Sequence, residues 1–431
     1  MVKKYFNGAY EGELKIFDVL QTELQEVPFD ASESRDLKKL MKIFFLGQLV
    51  GLPTLHSLLR KHGIRSNNHQ INYKHLCNRL TISTIRKVFE GIFEAQILDV
   101  LKKMSEKDSS CWSRELVTAL VDDSIFKQWH NQQDPSKDFE DCFGKFFSGQ
   151  FMASVYGFKV VTFALSIDGI VYPLYFDYVK KATDNNPKPL KASQVAEKLV
   201  RKWGLFVKKA QEKGISLPKL HFSCDNGYSD VPLCETCSDN SLIYISVPKK
   251  SHLFEIHQKE GAIKKMNLDN WIKDVFLDAE KKHLEAQIAL PKDKKTAFTY
   301  RFRAHYLAQN REVTLLVFRL NGSKKVSVIY CTDKNIFAKT LRRHWFQRTY
   351  IEQFFKLLKH VLRIQEARIR SKNEFEIKLF RFAFVAYHAQ KVVRFLRKRF
   401  KEFDNYGFIT IQRTLNDDPI WFGLLHDIIK I

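Results

Sequence analysis

Glu352 is the one carboxylate in the stretch Trp345–Lys359, which is otherwise built mostly from cations, rings and aliphatic residues and contains no Gly or Pro. Its length and periodicity predict a helix. At roughly 100° per residue, Trp345, Arg348, Glu352, Lys356 and Lys359 fall within an arc of about 80°. Phe346, Tyr350, Phe354, Leu357 and Val361 fall on the opposite side and are expected to be the buried face. An acid ringed by Arg348, Lys356 and Lys359 is kept ionised by its neighbours. Such a surface suits a metal ion and a phosphate held side by side. The same residues also fit a plain surface helix with i,i+4 ion pairs.

Two other acids follow buried-strand patterns. Leu116–Val121 is apolar and β-branched and runs into Asp122-Asp123-Ser124, so the strand is expected to end at the acids. Leu220–Cys224 runs into Asp225-Asn226-Gly227-Tyr228. Carboxylates leaving neighbouring strand ends, with a third from a flanking helix, can hold two divalent cations about 3.5–4 Å apart, a spacing that fits in-line displacement at phosphorus. Hard oxygen ligands select Mg²⁺, with Mn²⁺ as an alternative. Taken singly, Asp225-Asn226-Gly227 reads equally as a turn and Asp122-Asp123-Ser124 as a helix cap. Because alternate strand residues face opposite ways, only one of Asp122 and Asp123 can point at a shared site.

The elements that must position these acids are those of an α/β chain. Residues 1–110 read as a helical domain; within it, the pattern around Leu37–Val50, Leu55–Lys61 and Tyr73–Leu80 is compatible with a helix-turn-helix carrying Arg60, Lys61, Arg65, Lys74 and Arg79 as DNA contacts. Residues 111–249 give strand, strand, strand, helix, strand, strand: Lys159–Ser166 and Val171–Val179 flank an Ile167-Asp168-Gly169-Ile170 hairpin turn, and an amphipathic helix spans 190–213. Residues 250–335 form a β-rich insertion, with alternation over Ala297–Ala308, Glu312–Leu320 and Lys325–Thr332. The Glu352 helix lies in 336–372, and 373–431 is a basic helical C-terminal region with a Phe- and Arg-rich run (Phe380, Phe384, Tyr387, Val392, Phe395).

Charge narrows the partner. The 431-residue chain has a net charge of +23 and a pI near 9.5, which points to a polyanion. Leu37–Phe89 holds ten Lys or Arg and no acid, and a second basic excess runs from Leu341 to the C-terminus. No apolar run is long enough to span a membrane, and Met1-Val2-Lys3-Lys4-Tyr5 lacks the apolar core of a signal peptide. Seven scattered cysteines suit a reducing compartment. The lone Cys234-Glu235-Thr236-Cys237 has no second pair at zinc spacing. The expected location is cytoplasmic, and double-stranded DNA is the expected partner.

Together these motifs resemble DDE transposases of the insertion-sequence class marked by Y-x2-R-x3-E-x6-K. Trp345, Arg348, Glu352 and Lys359 match that spacing, with Trp in place of Tyr, while Asp122-Asp123-Ser124 resembles D-x-[ST] and Asp225–Tyr228 resembles D-x-x-[YF]. The resemblance covers about residues 112–370. It implies a ribonuclease-H-like mixed sheet interrupted by a β-strand insertion before the Glu-bearing helix. It further implies that Asp122, Asp225 and Glu352 are catalytic and hold two divalent ions, with Arg348 and Lys359 on phosphates near the cleaved end. His344, Lys356 and Arg363 are further phosphate candidates. The implied activity is cutting and joining of transposon inverted-repeat ends into target DNA through a hairpin, by a synaptic homodimer working in trans and associated with the nucleoid. Two other readings of the residues remain: a DNA-binding protein without catalysis, and a metal-dependent nuclease that cuts without joining.

Overall fold

Runs of β-branched and aromatic residues, punctuated by short polar turns, give this chain a sheet rather than a bundle. The structure is a computed structural model, and it describes residues 82–106, 116–127, 141–148, 152–182, 187–249, 252–257, 263–267, 299–319, 326–366 and 372–399, with isolated positions between 270 and 281. Its architecture is mixed α/β, a large mixed sheet with helices on its faces, compatible with a ribonuclease-H-like fold.

The elements begin with helix α1 (Ile82–Glu106) and strands β1 (Val117–Lys127), β2 (Phe143–Ser148), β3 (Ala153–Ile167) and β4 (Ile170–Tyr178). Helix α2 (Ala192–Glu212), β5 (Leu220–Ser223), a 3-10 turn (Asn226–Tyr228), α3 (Val231–Asp239) and β6 (Leu242–Ser246) follow. Then come β7 (Leu253–His257), β8 (Ile263–Asn267), β9 (Thr299–Tyr306), β10 (Arg311–Arg319) and β11 (Val326–Cys331). Helix α4 (Ala338–Lys356), a π-helical turn (Leu357–Val361) and α5 (Lys372–Arg399) complete the described chain.

All the described strands belong to one sheet, ordered β2-β3-β1-β5-β6-β11-β10-β9-β7-β8, with β4 also on β3. The β1–β5 and β5–β6 pairs are parallel, and the other pairs are antiparallel. The strands of the 250–335 region therefore extend the same sheet, joined through β11 on β6 at Tyr330↔Ser246 and Cys331↔Ile245.

Strand β1 corrects one expectation. It does not stop at Val121 but runs on to Lys127, because β3 pairs with it along its whole length, from Val117↔Ile167 to Lys127↔Gly157. That ladder satisfies the backbone through Asp122-Asp123-Ser124. What ends near the acids is the pairing with β5, which covers only Thr118–Leu120. The β3–β4 hairpin turns at Asp168 (φ 52°) and Gly169 (φ 81°), the two left-handed residues of a type I′ turn. Gly169 is also needed for room, since a Cβ there would lie 3.0 Å from the Tyr350 ring. Arg394 donates to the Asp168 carbonyl at 2.6 Å and to its carboxylate at 2.9 Å, fastening α5 to the turn.

Helices cover both faces. Apolar residues of α2 (Val195, Leu199, Trp203, Phe206) recur at helical spacing and are buried, with Trp203 5.9 Å from Phe163 of β3. Helices α1 and α5 pack on each other and on β3 and β4: Phe89 stacks on Phe380 at 4.6 Å and lies 5.5 Å from Phe176 of β4, and Phe375 lies flat on Phe158 of β3 at 4.0 Å. The buried Glu376 takes three hydrogen bonds from Arg86, as a buried carboxylate requires. Phe89, Phe93, Ile97 and Leu101 of α1 share their core with the sheet. The expected helix-turn-helix, with Arg60, Lys61, Arg65, Lys74 and Arg79, lies outside the described residues, as do the side chains of Phe384, Val392 and Phe395. The five described cysteines, Cys234 and Cys237 included, are free and buried. Among the described residues no helix is long and apolar enough to cross a membrane.

Helix α4 buries a different face from the one its composition suggests. Leu341, His344, Gln347, Ile351, Phe354 and Phe355 point inward, while Phe346 is 37% exposed. The sheet beneath presents two hydroxyls, and buried hydroxyls need partners. Thr118 Oγ1 bonds His344 Nδ1 at 2.7 Å, and Ser166 Oγ donates to Gln347 Oε1 at 2.8 Å. His344 also stacks on His221 of β5, ring centroids 3.9 Å apart. Burial, followed by the neighbouring His221 and Arg343, lowers His344 to about 3; burial lowers His221 to about 4 despite Asp333. His344 is therefore a neutral docking residue, which corrects its reading as a phosphate contact.

Both imidazoles are favoured neutral in the fold, so their contribution is complete above the unfolded value near 6.5 and is lost as pH falls toward 4 and 3. The melting temperature of the wild type is expected to drop steadily from pH 7 to pH 4.5. A His221→Phe, His344→Gln variant should show a visibly shallower drop in the same scan, and identical slopes would contradict this assignment.

Candidate active site at the ends of two parallel strands

The parallel ladder between β1 and β5 ends with Leu120 opposite Ser223. Two residues further on in each strand direction stand Asp122 and Asp225, level with each other at the carboxyl end of the pair. Neighbouring strands lie about 5 Å apart, so the two acids begin as neighbours although a hundred residues separate them. Crevices at such strand ends are the usual ligand sites of open α/β sheets.

Each acid has its own support. Asp225 heads the 3-10 turn and accepts from the Gly227 amide at 2.8 Å, while Ser246 Oγ donates to its carbonyl at 2.9 Å. The turn reading thus describes one carboxylate oxygen of Asp225. Asp122 Oδ1 accepts from the Asp123 amide at 2.9 Å. Burial, then the charges of Asp123 and Asp225, push the Asp122 carboxyl up to about 8, with Arg348 pulling the other way. Asp122 therefore feels both the second aspartate and the α4 arginine. Asp123 points to the other face, where Tyr228 donates to its Oδ2 at 3.0 Å and Lys159 Nζ lies 3.3 Å away.

Helix α4 runs along β1 in the same direction. His344 meets Thr118 near one end, and Phe355 meets Phe126 near the other, ring centroids 6.3 Å apart. Arg348 falls between those contacts on the helix, as Asp122 does on the strand. Its Nη1 pairs with Glu352 Oε1 at 2.7 Å, and its guanidinium carbon sits 5.1 Å from the centre of the Trp345 ring. Trp345 is half-buried beside the small cluster of Ile245, Leu316, Phe318 and Leu341. One arginine thus links Glu352 and Trp345 to the field of Asp122.

The π-helical turn then changes the expected wheel. Lys359 lies within it rather than on a continuing α-helix, and turns of this kind recur at functional sites. Its ammonium sits 5.6 Å from the centre of the Phe126 ring. Burial lowers it to about 8, while Asp123 and Asp122 pull it upward. Lys359 is accordingly a neighbour of the acidic pair. Lys356 is exposed at the end of α4, and Arg363 is exposed in a left-handed conformation (φ 55°) after the turn. Two participants escaped the sequence reading: Lys159, whose only signal is a lone cation in an apolar strand, and the Tyr228 hydroxyl as a donor to Asp123.

The donor set fits hard divalent ions in part. Asp122 and Asp225 offer oxygens in a region where negative charge is crowded. The Glu352 carboxylate is held by Arg348, and among the described residues no group of three or more His, Cys, Asp or Glu stands close enough to hold a metal ion.

A raised carboxyl value means that the folded state binds a proton the unfolded state releases, so stability contributed by Asp122 falls as pH rises from about 4 to about 8. In metal-free buffer, Asp122→Asn is expected to raise the melting temperature by a few degrees at pH 8.5 and by much less at pH 5.5. An equal shift at both pH values would contradict the crowding of Asp122 by Asp123 and Asp225.

No family model matches the chain, and no curated protein matches it. Among solved structures, it is similar to the cryo-EM structure of a piggyBac transposase synaptic complex with hairpin DNA, at 10% sequence identity and a TM-score of 0.34. The match covers 73% of this chain and 53% of that one, so this chain spans about half the length of its neighbour. A likeness that distant assigns no residue and no activity.

Proposed function

We propose that this chain is a transposase of the insertion-sequence type with the Y-R-E-K signature, which binds transposon ends and cuts and joins DNA by metal-dependent phosphoryl transfer. One observation carries the reading: Asp122 and Asp225 stand level just beyond the point where the parallel pairing of β1 and β5 stops, with the Arg348–Glu352 helix laid along β1. Asp122, Asp225 and Glu352 would hold two Mg²⁺ ions, with Mn²⁺ as a substitute. When bound, such a pair activates the attacking oxygen and stabilises the departing one.

The side chains supply the rest. Arg348 presents a planar fork suited to a phosphate. Handing that fork to DNA would release Glu352 from its ion pair, so phosphate binding and completion of the acidic trio would be one event. Lys359, beside both Asp122 and Asp123, would take a phosphate oxygen of the cleaved end. Trp345 would offer an indole N–H where the signature has a tyrosine hydroxyl. In the cut-and-paste route, water attacks phosphorus and the 3′ oxygen leaves. That 3′-OH then attacks the opposite strand to form a hairpin, which is reopened before the 3′ ends join target DNA. A synaptic homodimer would act in trans. Residues 1–110 would bind the ends and 250–335 would be an insertion into the catalytic core formed by 111–249 and 336–372, leaving 373–431 as a basic helical region.

A second reading, DNA binding without catalysis, is favoured by the Arg348–Glu352 pair, which occupies the third carboxylate. Incubating the purified protein with Mg²⁺ and linear DNA carrying its element's ends separates the readings. Hairpin and joined products are expected, with rates falling on the order of 10³-fold or more in Asp122→Asn, Asp225→Asn and Glu352→Gln. Nicking alone would indicate a nuclease, and a mobility shift without cleavage a DNA-binding protein. Binding should weaken steeply between low and moderate salt if the basic zones neutralise phosphates; salt-insensitive binding would contradict that role.

A further inference from the structure

Strand β3 is longer than the sheet that supports it. Its pairing with β1 ends at Gly157 and its pairing with β4 ends at Val160, yet β2 continues to pair with it down to Ser148↔Ala153. Among the described strands, residues 153–156 therefore have β2 as their only neighbour. The result is a two-stranded ribbon extending about 13 Å past Gly157. It leaves from the same end of β1 as Asp122, five residues further along.

The ribbon is apolar where water reaches it. Phe147 is 63% exposed, Met152 77% and Tyr156 45%. Cross-strand register puts Lys145 opposite Tyr156 and Phe147 opposite Ser154, so Lys145, Phe147 and Tyr156 share one face. On the other face Lys181 lies over the Phe146 ring at 5.8 Å, and a Cβ on Gly144 would collide with that lysine's side chain. From Cys142 to Ile167 there is no Asp or Glu. At the base, Asp141 is already paired with Lys180 at 2.6 Å and lies 3.7 Å from Lys372. Exposed rings interleaved with lysines, and no acid among them, match the surface of a single nucleic-acid strand, where bases stack on rings and phosphates meet cations.

We infer that the β2–β3 ribbon is a single-strand DNA platform, on which Phe147 and Tyr156 stack unpaired bases of the strand leaving the Asp122–Asp225 site. This rests on the DNA-processing reading above and adds to it where the strand goes. A protein partner is less suited to the ribbon, because such a surface would meet cations without acids along its whole length.

The test compares wild type with Phe147→Ser, Tyr156→Ser, residues whose exposure leaves the core untouched. Binding is measured by fluorescence anisotropy for a blunt duplex and for the same duplex with a single-stranded overhang. The wild type should bind the overhang DNA more tightly and quench 2-aminopurine placed in it. The double variant, with an unchanged melting temperature, should lose about tenfold or more on the overhang DNA and less than about twofold on the blunt duplex. Equal losses on both, or none, would overturn the platform while leaving the DNA-processing reading intact. Concentration-dependent self-association in sedimentation equilibrium, abolished by the double variant, would also overturn it and assign the rings to a second copy of the chain. A wild type that binds neither DNA would end both proposals.

Discussion

The site depends on where two strands stop being neighbours. Strand β1 is held by β3 along its whole length, whereas β5 accompanies it for three residues only, ending at Leu120↔Ser223. The long antiparallel ladder keeps the backbone of Asp122-Asp123-Ser124 extended and satisfied. The short parallel one opens a gap beside it at the level of the acids. Slipping the β1–β3 register by one residue would turn Asp123 toward α4 and Asp122 away. The chemistry of the site is therefore set by backbone pairing before any side chain is considered.

Charge is arranged around that gap in opposing layers. Burial, together with the charges of Asp123 and Asp225, pushes Asp122 up to about 8. Arg348, Lys359 and Lys159 approach from α4, the π turn and β3. In the proposed function, such an arrangement would attract a cation at its centre and phosphates at its rim. The buried hydroxyl–imidazole and hydroxyl–amide contacts under α4 hold the helix at a fixed rotation, which is what brings Arg348 toward Asp122.

Much of the architecture could be read from the residues alone. The β3–β4 turn followed from Asp168-Gly169, and α2 from its 3.6-residue apolar stripe. The three long strands of the 250–335 region appeared as alternation, each within a few residues of its observed limits. What could not be read depends on distant partners. The extension of β1 through three polar residues comes from β3, which the local pattern of β1 does not encode. The inward turn of His344 and Gln347 answers hydroxyls on Thr118 and Ser166, more than 170 residues away in sequence. The π turn likewise moved Lys359 off the wheel drawn for an ideal helix. At the site, the motif spacing picked out Asp122, Asp225, Arg348 and Glu352, and the i,i+4 spacing of the last two already allowed the ion pair that joins them.

That ion pair is the point on which the proposed function turns, since in it the Glu352 carboxylate would leave Arg348 to join the two aspartates. A crystal of the protein with DNA and Mn²⁺, measured at the manganese absorption edge, tests it directly. Anomalous density between Asp122 and Asp225, with the Glu352 carboxylate turned toward it and Arg348 on a phosphate, is the predicted result. Manganese bound elsewhere, or Glu352 still locked to Arg348 with DNA in place, would contradict the account.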